Sequence, residues 1–220
     1  MNSESRSQIN PSAHAAPRPR RVVARVVAAC SAVGLAAIGI AAVIEPWAET
    51  RALVIARGSG WLACGALLTS LCITPLSRLA ERLTVAPRAR RLAPVVRRAL
   101  GMASAWLALL HAAVSLAGPL DLELLPLATW PHLRAGASAL CVLLLLLATS
   151  YGSVVTRLRL TMFRELHRLA FVAAALVLQH ALLSAYASRQ LVLGVFGAAL
   201  LFGLLRWLPT KGRLAHTEFK

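Results

Sequence analysis

Long apolar segments alternate with short polar segments along the whole chain. Six apolar segments come close to the roughly 20 residues that an α-helix needs to cross a bilayer. They lie at approximately 26–44, 59–76, 99–118, 135–151, 168–187 and 190–207. The pattern predicts an all-α integral membrane protein, a six-transmembrane-helix bundle over residues 22–208. We expect a disordered cytoplasmic tail before it, at 1–21, and a cytoplasmic C-terminal tail after it, at 209–220.

The first apolar segment has to be distinguished from a cleaved signal. Arg20-Arg21 before an apolar run resembles a twin-arginine signal, and Val27-Ala28-Ala29-Cys30 resembles a lipoprotein cleavage site. A signal core needs about 7–15 apolar residues before its cleavage site. Few apolar residues precede Cys30, Arg25 interrupts them, and the apolar run continues to Ile44. We therefore expect an uncleaved first membrane helix.

Composition supports a membrane protein over a soluble one. Hydrophobic residues make up 58% of the 220 residues and charged residues only 15%, whereas a soluble domain carries about 25% charged residues. The net charge is +16, from 24 Lys and Arg against 8 Asp and Glu. In a soluble protein such a charge would suggest nucleic-acid binding. In a chain this apolar it indicates how the loops are arranged across a bilayer.

The positive charges fall in every second loop. Residues 1–25 hold five, 77–98 hold seven, 152–168 hold four and the end from Arg206 holds four. The other loops share only Arg51, Arg57, Arg134 and Arg189. Cytoplasmic loops of membrane proteins are rich in Lys and Arg, so the alternation predicts six spans with both termini in the cytoplasm. This topology accounts for the basic inner surface, although the same surface could dock an acidic flavoprotein or a flavin phosphate.

Histidines at or inside the predicted spans are the candidate functional side chains. Three of the six are at or inside a span: His111 in the third, and His167 and His180 at the start and in the body of the fifth. The other three lie in tails or an outer loop, at His14, His132 and His216. Ionisable groups within a membrane are rare and often functional, and a neutral imidazole can bind haem iron from inside an apolar helix.

Two of these histidines are predicted to lie at the same depth in the membrane. His111 follows Arg98 by 13 residues, and His180 follows Arg168 by 12 and Arg164 by 16. On parallel helices both histidines therefore lie about 18–24 Å from the inner edge. The spacing predicts that they hold one haem in the outer half of the bilayer. His167 lies about 20 Å closer to the cytoplasm and about 140° around an ideal helix from His180. At its depth the third helix carries arginines, so His167 forms half of a second site.

The same residues also admit a less specific interpretation. A histidine inside a membrane helix is often a hydrogen-bonded packing residue, and the chain would then be a non-haem transporter or structural protein. The cysteines are interpreted as small buried apolar side chains; they are Cys30, Cys64, Cys72 and Cys141.

Several short motifs, in this order, resemble the ferric-reductase-like transmembrane domain superfamily, and within it the MsrQ (YedZ) family of haem-binding membrane subunits. The resemblance covers about 59–187. The motifs are Ile73-Thr74-Pro75-Leu76-Ser77-Arg78, Arg97-Arg98-Ala99-Leu100-Gly101, Leu110-His111, Ala148-Thr149-Ser150, Glu165-Leu166-His167-Arg168-Leu169 and Gln179-His180.

The resemblance implies a b-type haem held by His111 and His180, with His167 as a further candidate ligand and a second haem as an alternative. It implies that electrons pass from the quinone pool or a cytoplasmic flavin reductase to a periplasmic molybdopterin-containing methionine-sulfoxide reductase. The chain would be the electron-transfer subunit of this system in the bacterial inner membrane, and not its catalytic subunit. The family is also linked to FMN. Because the chain ends about a dozen residues after the sixth span, we expect no nicotinamide-binding domain of its own. A ferric-reductase-like protein serving another acceptor is the alternative.

Overall fold

The structure, a computed structural model, describes residues 19–45, 47–82, 89–150, 160–185 and 187–204. Every regular element in these ranges is an α-helix. The helices are α1 (Pro19–Ile44), α2 (Ala48–Arg82), α3 (Ala89–Ala117), α4 (Leu125–Thr129), α5 (Pro131–Ser150), α6 (Leu160–Leu183) and α7 (Arg189–Leu204). The expectation of an all-α chain is met throughout these ranges.

Five of the described helices are long and apolar enough to cross a membrane: α1, α2, α3, α5 and α6. They correspond to the first five predicted spans. The sixth predicted span, 190–207, coincides with α7, whose 16 described residues are apolar but fall short of a membrane crossing. Residues 205–207 lie outside the described ranges, so the count of six remains a prediction, as does the side on which each terminus lies.

Helix boundaries differ from the predicted spans. α1 begins at Pro19, so the last three residues of the predicted N-terminal tail are helical, while residues 1–18 lie outside the described ranges. α2 has 35 residues and is therefore about 52 Å long, well beyond the roughly 30 Å of a hydrocarbon core. It continues through Pro75, although proline removes a helical hydrogen bond. Hydropathy marks only the part of a helix inside the bilayer, and so the polar ends were missed.

Contacts between helices define the direction of each one. The Ser104 hydroxyl on α3 donates to the carbonyl of Ala63 on α2 (2.9 Å). At the other end of α3, position 118 packs against Ala52 of α2, so α2 and α3 are antiparallel. The Arg98 guanidinium near the start of α3 donates to the carbonyl of Ser150 at the end of α5. Thus α5 is antiparallel to α3.

The core lies where α2, α3, α5 and α6 meet. α2 packs along α3, α5 packs along α6, and α3 also contacts α5. Small side chains dominate this region, with Ala105 at 1% exposure and Ala173 fully buried, and larger ones fill the remaining space at Leu67, Leu143 and Leu147. Small residues allow membrane helices to approach closely, since apolar burial alone does not drive association within lipid.

The outer faces of the bundle are apolar. Large hydrophobic side chains on α1 and α7 are well exposed, among them Val33, Ile40, Val43, Leu200 and Leu201. Soluble monomers rarely expose apolar patches of this extent. In a bilayer these side chains face lipid tails, which fits the spans that hydropathy predicts.

Candidate functional site

The imidazoles of His111 and His180 meet near one end of the bundle. Their ring centroids are 6.1 Å apart and their planes are inclined at 74°. His111 lies on α3, six residues before its end, and His180 lies on α6, three residues before its end. Both side chains are half-buried. The structure therefore brings together the two histidines that were predicted to share one depth, at the end of the bundle opposite Arg98.

A backbone carbonyl from a neighbouring helix holds each ring. His111 Nδ1 lies 2.6 Å from the carbonyl oxygen of Ala56 on α2. His180 Nδ1 lies 2.7 Å from the carbonyl oxygen of His132 on α5. A carbonyl oxygen can only accept, so each Nδ1 carries the proton and donates it. In the neutral imidazole Nε2 then keeps a lone pair, which is the state that a metal-binding imidazole requires.

A glycine lies beside each imidazole. A Cβ atom at Gly60 of α2 would come 3.0 Å from His111 Nδ1, and one at Gly136 of α5 would come 2.8 Å from His180 Nδ1. Each glycine stands four residues after the carbonyl that accepts the hydrogen bond. In an α-helix the side chain at this position lies next to that carbonyl. Glycine thus leaves room for the imidazole to reach the backbone of the neighbouring helix.

The distance between the rings fits a pair of ligands on opposite sides of one metal. An imidazole nitrogen binds a metal at about 2.0–2.1 Å, which places the centroids of two opposed rings roughly 6–6.5 Å apart. The observed 6.1 Å falls in this range. An edge-to-face packing contact also allows about 4.5–7 Å. The separation of the rings thus fits both interpretations, and metal binding further requires an unprotonated Nε2 on each ring, which the Nδ1–carbonyl bonds provide.

His132 is a third imidazole at this end of the bundle. It was predicted to lie in an outer loop, but it is the second residue of α5. Its ring centroid is 6.1 Å from that of His180 at an angle of 30°, and on its other side it stacks on Trp130 at 5.7 Å. Distance alone would therefore allow His132 to be a partner of His180. His111 is the better partner for His180, because a carbonyl accepts the hydrogen bond from its Nδ1, whereas the His132 ring stacks on an indole.

His167 lies on the same helix as His180 but far from it. The 13 residues between them correspond to about 20 Å along α6. The structure places it, half-buried, toward the end of the bundle that contains Arg98. It does not join the group of His111, His132 and His180. Its role as a further ligand stays a prediction.

Sequence reasoning missed four contributors to this site: the carbonyls of Ala56 and His132 and the glycines Gly60 and Gly136. A backbone acceptor leaves no mark on residue type, so no pattern could have indicated the two carbonyls. A glycine within an apolar span is a weak sign of close helix approach. It gains meaning only once the neighbouring helix is known to present a histidine there.

The fold and the paired imidazoles define a class: a multi-pass helical membrane protein whose bundle brings two histidines from different helices together near one end. Residues 59–178 match the family described as ferric reductase like transmembrane component. The match covers more than half of the 220 residues, and the chain belongs to this family. It includes His111 and His167 and ends two residues before His180. No curated protein matches the chain. Family membership indicates a membrane electron-transfer protein.

Proposed function

We propose that the chain is a haem b electron-transfer subunit of the bacterial inner membrane, with His111 and His180 as the axial ligands. The observation that carries the proposal is the pair of imidazoles 6.1 Å apart, each with its Nδ1 on a carbonyl. His111 and His180 would hold the haem iron through their Nε2 atoms. A haem bound there would supply reversible one-electron chemistry.

The protein's own residues determine the properties of such a site. The carbonyls of Ala56 and His132 orient the imidazoles and raise the basicity of Nε2. The apolar core formed by Leu67, Leu143 and Leu147 limits water on the inner side. Basic ligands and an apolar environment are both determinants of reduction potential. The position near the predicted outer end suits electron delivery to an acceptor outside the membrane.

We further propose the system in which the subunit acts. Electrons would enter from the quinone pool or from a cytoplasmic flavin reductase, and leave to a periplasmic molybdopterin-containing reductase that repairs methionine sulfoxide in proteins. The motifs around His111, His167 and His180 support this assignment through their resemblance to the MsrQ family. An FMN would belong to the same system.

One experiment tests the haem and another tests the partner. The purified protein should show a Soret band, and a pyridine haemochrome should identify haem b; a colourless protein would favour the transporter or structural alternative.

Reduced membranes containing the protein should then reduce the periplasmic reductase, and membranes lacking it should not. If the haem is present but the reductase stays oxidised, the assignment moves to a ferric-reductase-like protein serving another acceptor.

A further inference from the structure

We propose that Gly60 and Gly136 are positioning residues that hold the two axial imidazoles in crossed planes. The inference rests on the proposed function, since it concerns how His111 and His180 present Nε2 to a haem. Because neither glycine has a side chain, each imidazole can reach a backbone carbonyl on the adjacent helix.

The two halves of the site are built in the same way. On α2 the accepting carbonyl belongs to Ala56 and the glycine is Gly60; on α5 they belong to His132 and Gly136. The separation is four residues in both cases. Because the carbonyl of residue i accepts the N–H of residue i+4 in an α-helix, each imidazole shares a carbonyl that already has a helical hydrogen bond. The imidazole can reach that carbonyl only if residue i+4 has no side chain in the way.

A side chain at either glycine would displace the imidazole. An added Cβ would lie 3.0 Å from His111 Nδ1 and 3.1 Å from its Cε1; at Gly136 the corresponding distances to His180 are 2.8 and 3.1 Å. The closest atom in each case is the Nδ1 that donates the hydrogen bond, so the ring has to shift and its bond to the carbonyl is weakened. Alanine at either position should therefore change the orientation of the ligand before it disturbs the helix.

The angle between the rings has an electronic consequence. The planes of His111 and His180 are inclined at 74°, and each is set by a different helix. Ligand planes near perpendicular leave the iron d orbitals that bond with the imidazoles nearly equal in energy, whereas parallel planes split them. Ferric low-spin iron with crossed ligands consequently has a highly anisotropic electron paramagnetic resonance (EPR) signal dominated by one low-field feature.

The test compares glycine variants of the purified haem-loaded protein by EPR and by redox titration. The wild type should show the highly anisotropic low-spin signal. Gly60→Ala and Gly136→Ala should replace it with a less anisotropic or a high-spin signal. Their midpoint potential should rise, because a weaker hydrogen bond at Nδ1 lowers ligand basicity and disfavours the ferric state. Gly65→Ala is the control on α2, because an added Cβ there meets no atom within 4 Å.

A signal and potential in Gly60→Ala and Gly136→Ala equal to those of Gly65→Ala would overturn the proposal. So would a wild-type haem with the weakly anisotropic signal of parallel ligands, and the proposed function would survive that result. A wild type without haem would instead refute the proposed function itself.

A second variant covers the case in which the alanine proteins do not accumulate. His111→Gly removes the ligand and leaves a space that added imidazole can fill. Imidazole can donate to the Ala56 carbonyl with its second nitrogen, whereas 1-methylimidazole cannot. Imidazole should restore the low-spin spectrum at a roughly fivefold lower concentration, the factor that corresponds to one hydrogen bond of typical net strength. Equal effectiveness of the two molecules would overturn the role of the carbonyl.

Discussion

His111 and His180 lie on different helices, and their ring centroids are 6.1 Å apart. A shift of either helix by one turn would move one ring by about 5.4 Å and separate the pair. The site therefore depends on the register between α3 and α6, which the buried side chains between α2, α3, α5 and α6 hold. Stability of that core and integrity of the site should change together.

Ala173 tests this dependence. It is fully buried in the core on α6, while its neighbour Val172 is 47% exposed on the lipid-facing side. Ala173→Leu adds three carbon atoms where no space is available, and overpacking of this kind typically costs about 1–3 kcal/mol. Thermal loss of the Soret band in detergent should occur at a lower temperature in Ala173→Leu than in the wild type. Val172→Leu should resemble the wild type, and equal behaviour of the two variants would contradict the packing.

His132 provides a prediction that separates the two candidate ligand pairs. Its carbonyl accepts the hydrogen bond from His180, and a substitution leaves that carbonyl in place. His132→Ala should therefore retain most of the haem and a low-spin absorption spectrum, as should His14→Ala, the control in the N-terminal tail. If His132→Ala loses the low-spin spectrum while His111→Ala keeps it, the ligands of the haem are His132 and His180.

His167→Ala tests the half-site at the other end of α6. About 20 Å separates it from His180, so its removal should leave the outer haem unchanged. If the protein binds a second haem, the haem-to-protein ratio measured by pyridine haemochrome should fall by about half in this variant. If it binds one, the ratio and the spectrum should stay as in the wild type. Loss of all haem in His167→Ala would contradict the separation of the two sites.

Hydropathy and residue spacing predicted the long helices and the histidine pair, whereas features that depend on backbone geometry were missed. The first five spans and the common depth of His111 and His180 result from apolar length and from a rise of 1.5 Å per residue. The short helix α4 was missed because five residues carry no usable periodicity. His132 was placed in an outer loop because the predicted fourth span begins at 135, whereas the helix begins at Pro131, a position that proline favours. The roles of Gly60 and Gly136 arise only when two helices meet.

The membrane topology can be tested independently of the haem. Twenty of the 24 basic residues fall in alternate loops, which predicts cytoplasmic termini. Reporter fusions after residues 54, 126 and 188 should be active in the periplasm, and fusions near 88, 158 and 214 in the cytoplasm. The fusion near residue 214 also tests α7, because its reporter lies in the cytoplasm only if the sixth segment crosses the membrane. One consistent reversal would refute the six-span topology.

The role of His111 and His180 as iron ligands is tested most directly by the absorption spectrum of each alanine variant at matched protein concentration. The wild type should show the spectrum of a six-coordinate low-spin haem b. His111→Ala and His180→Ala each remove one axial ligand and leave an open coordination position in apolar surroundings. Each should lose most of the haem or shift to a high-spin spectrum. A low-spin spectrum with full haem content in both variants would contradict the assignment.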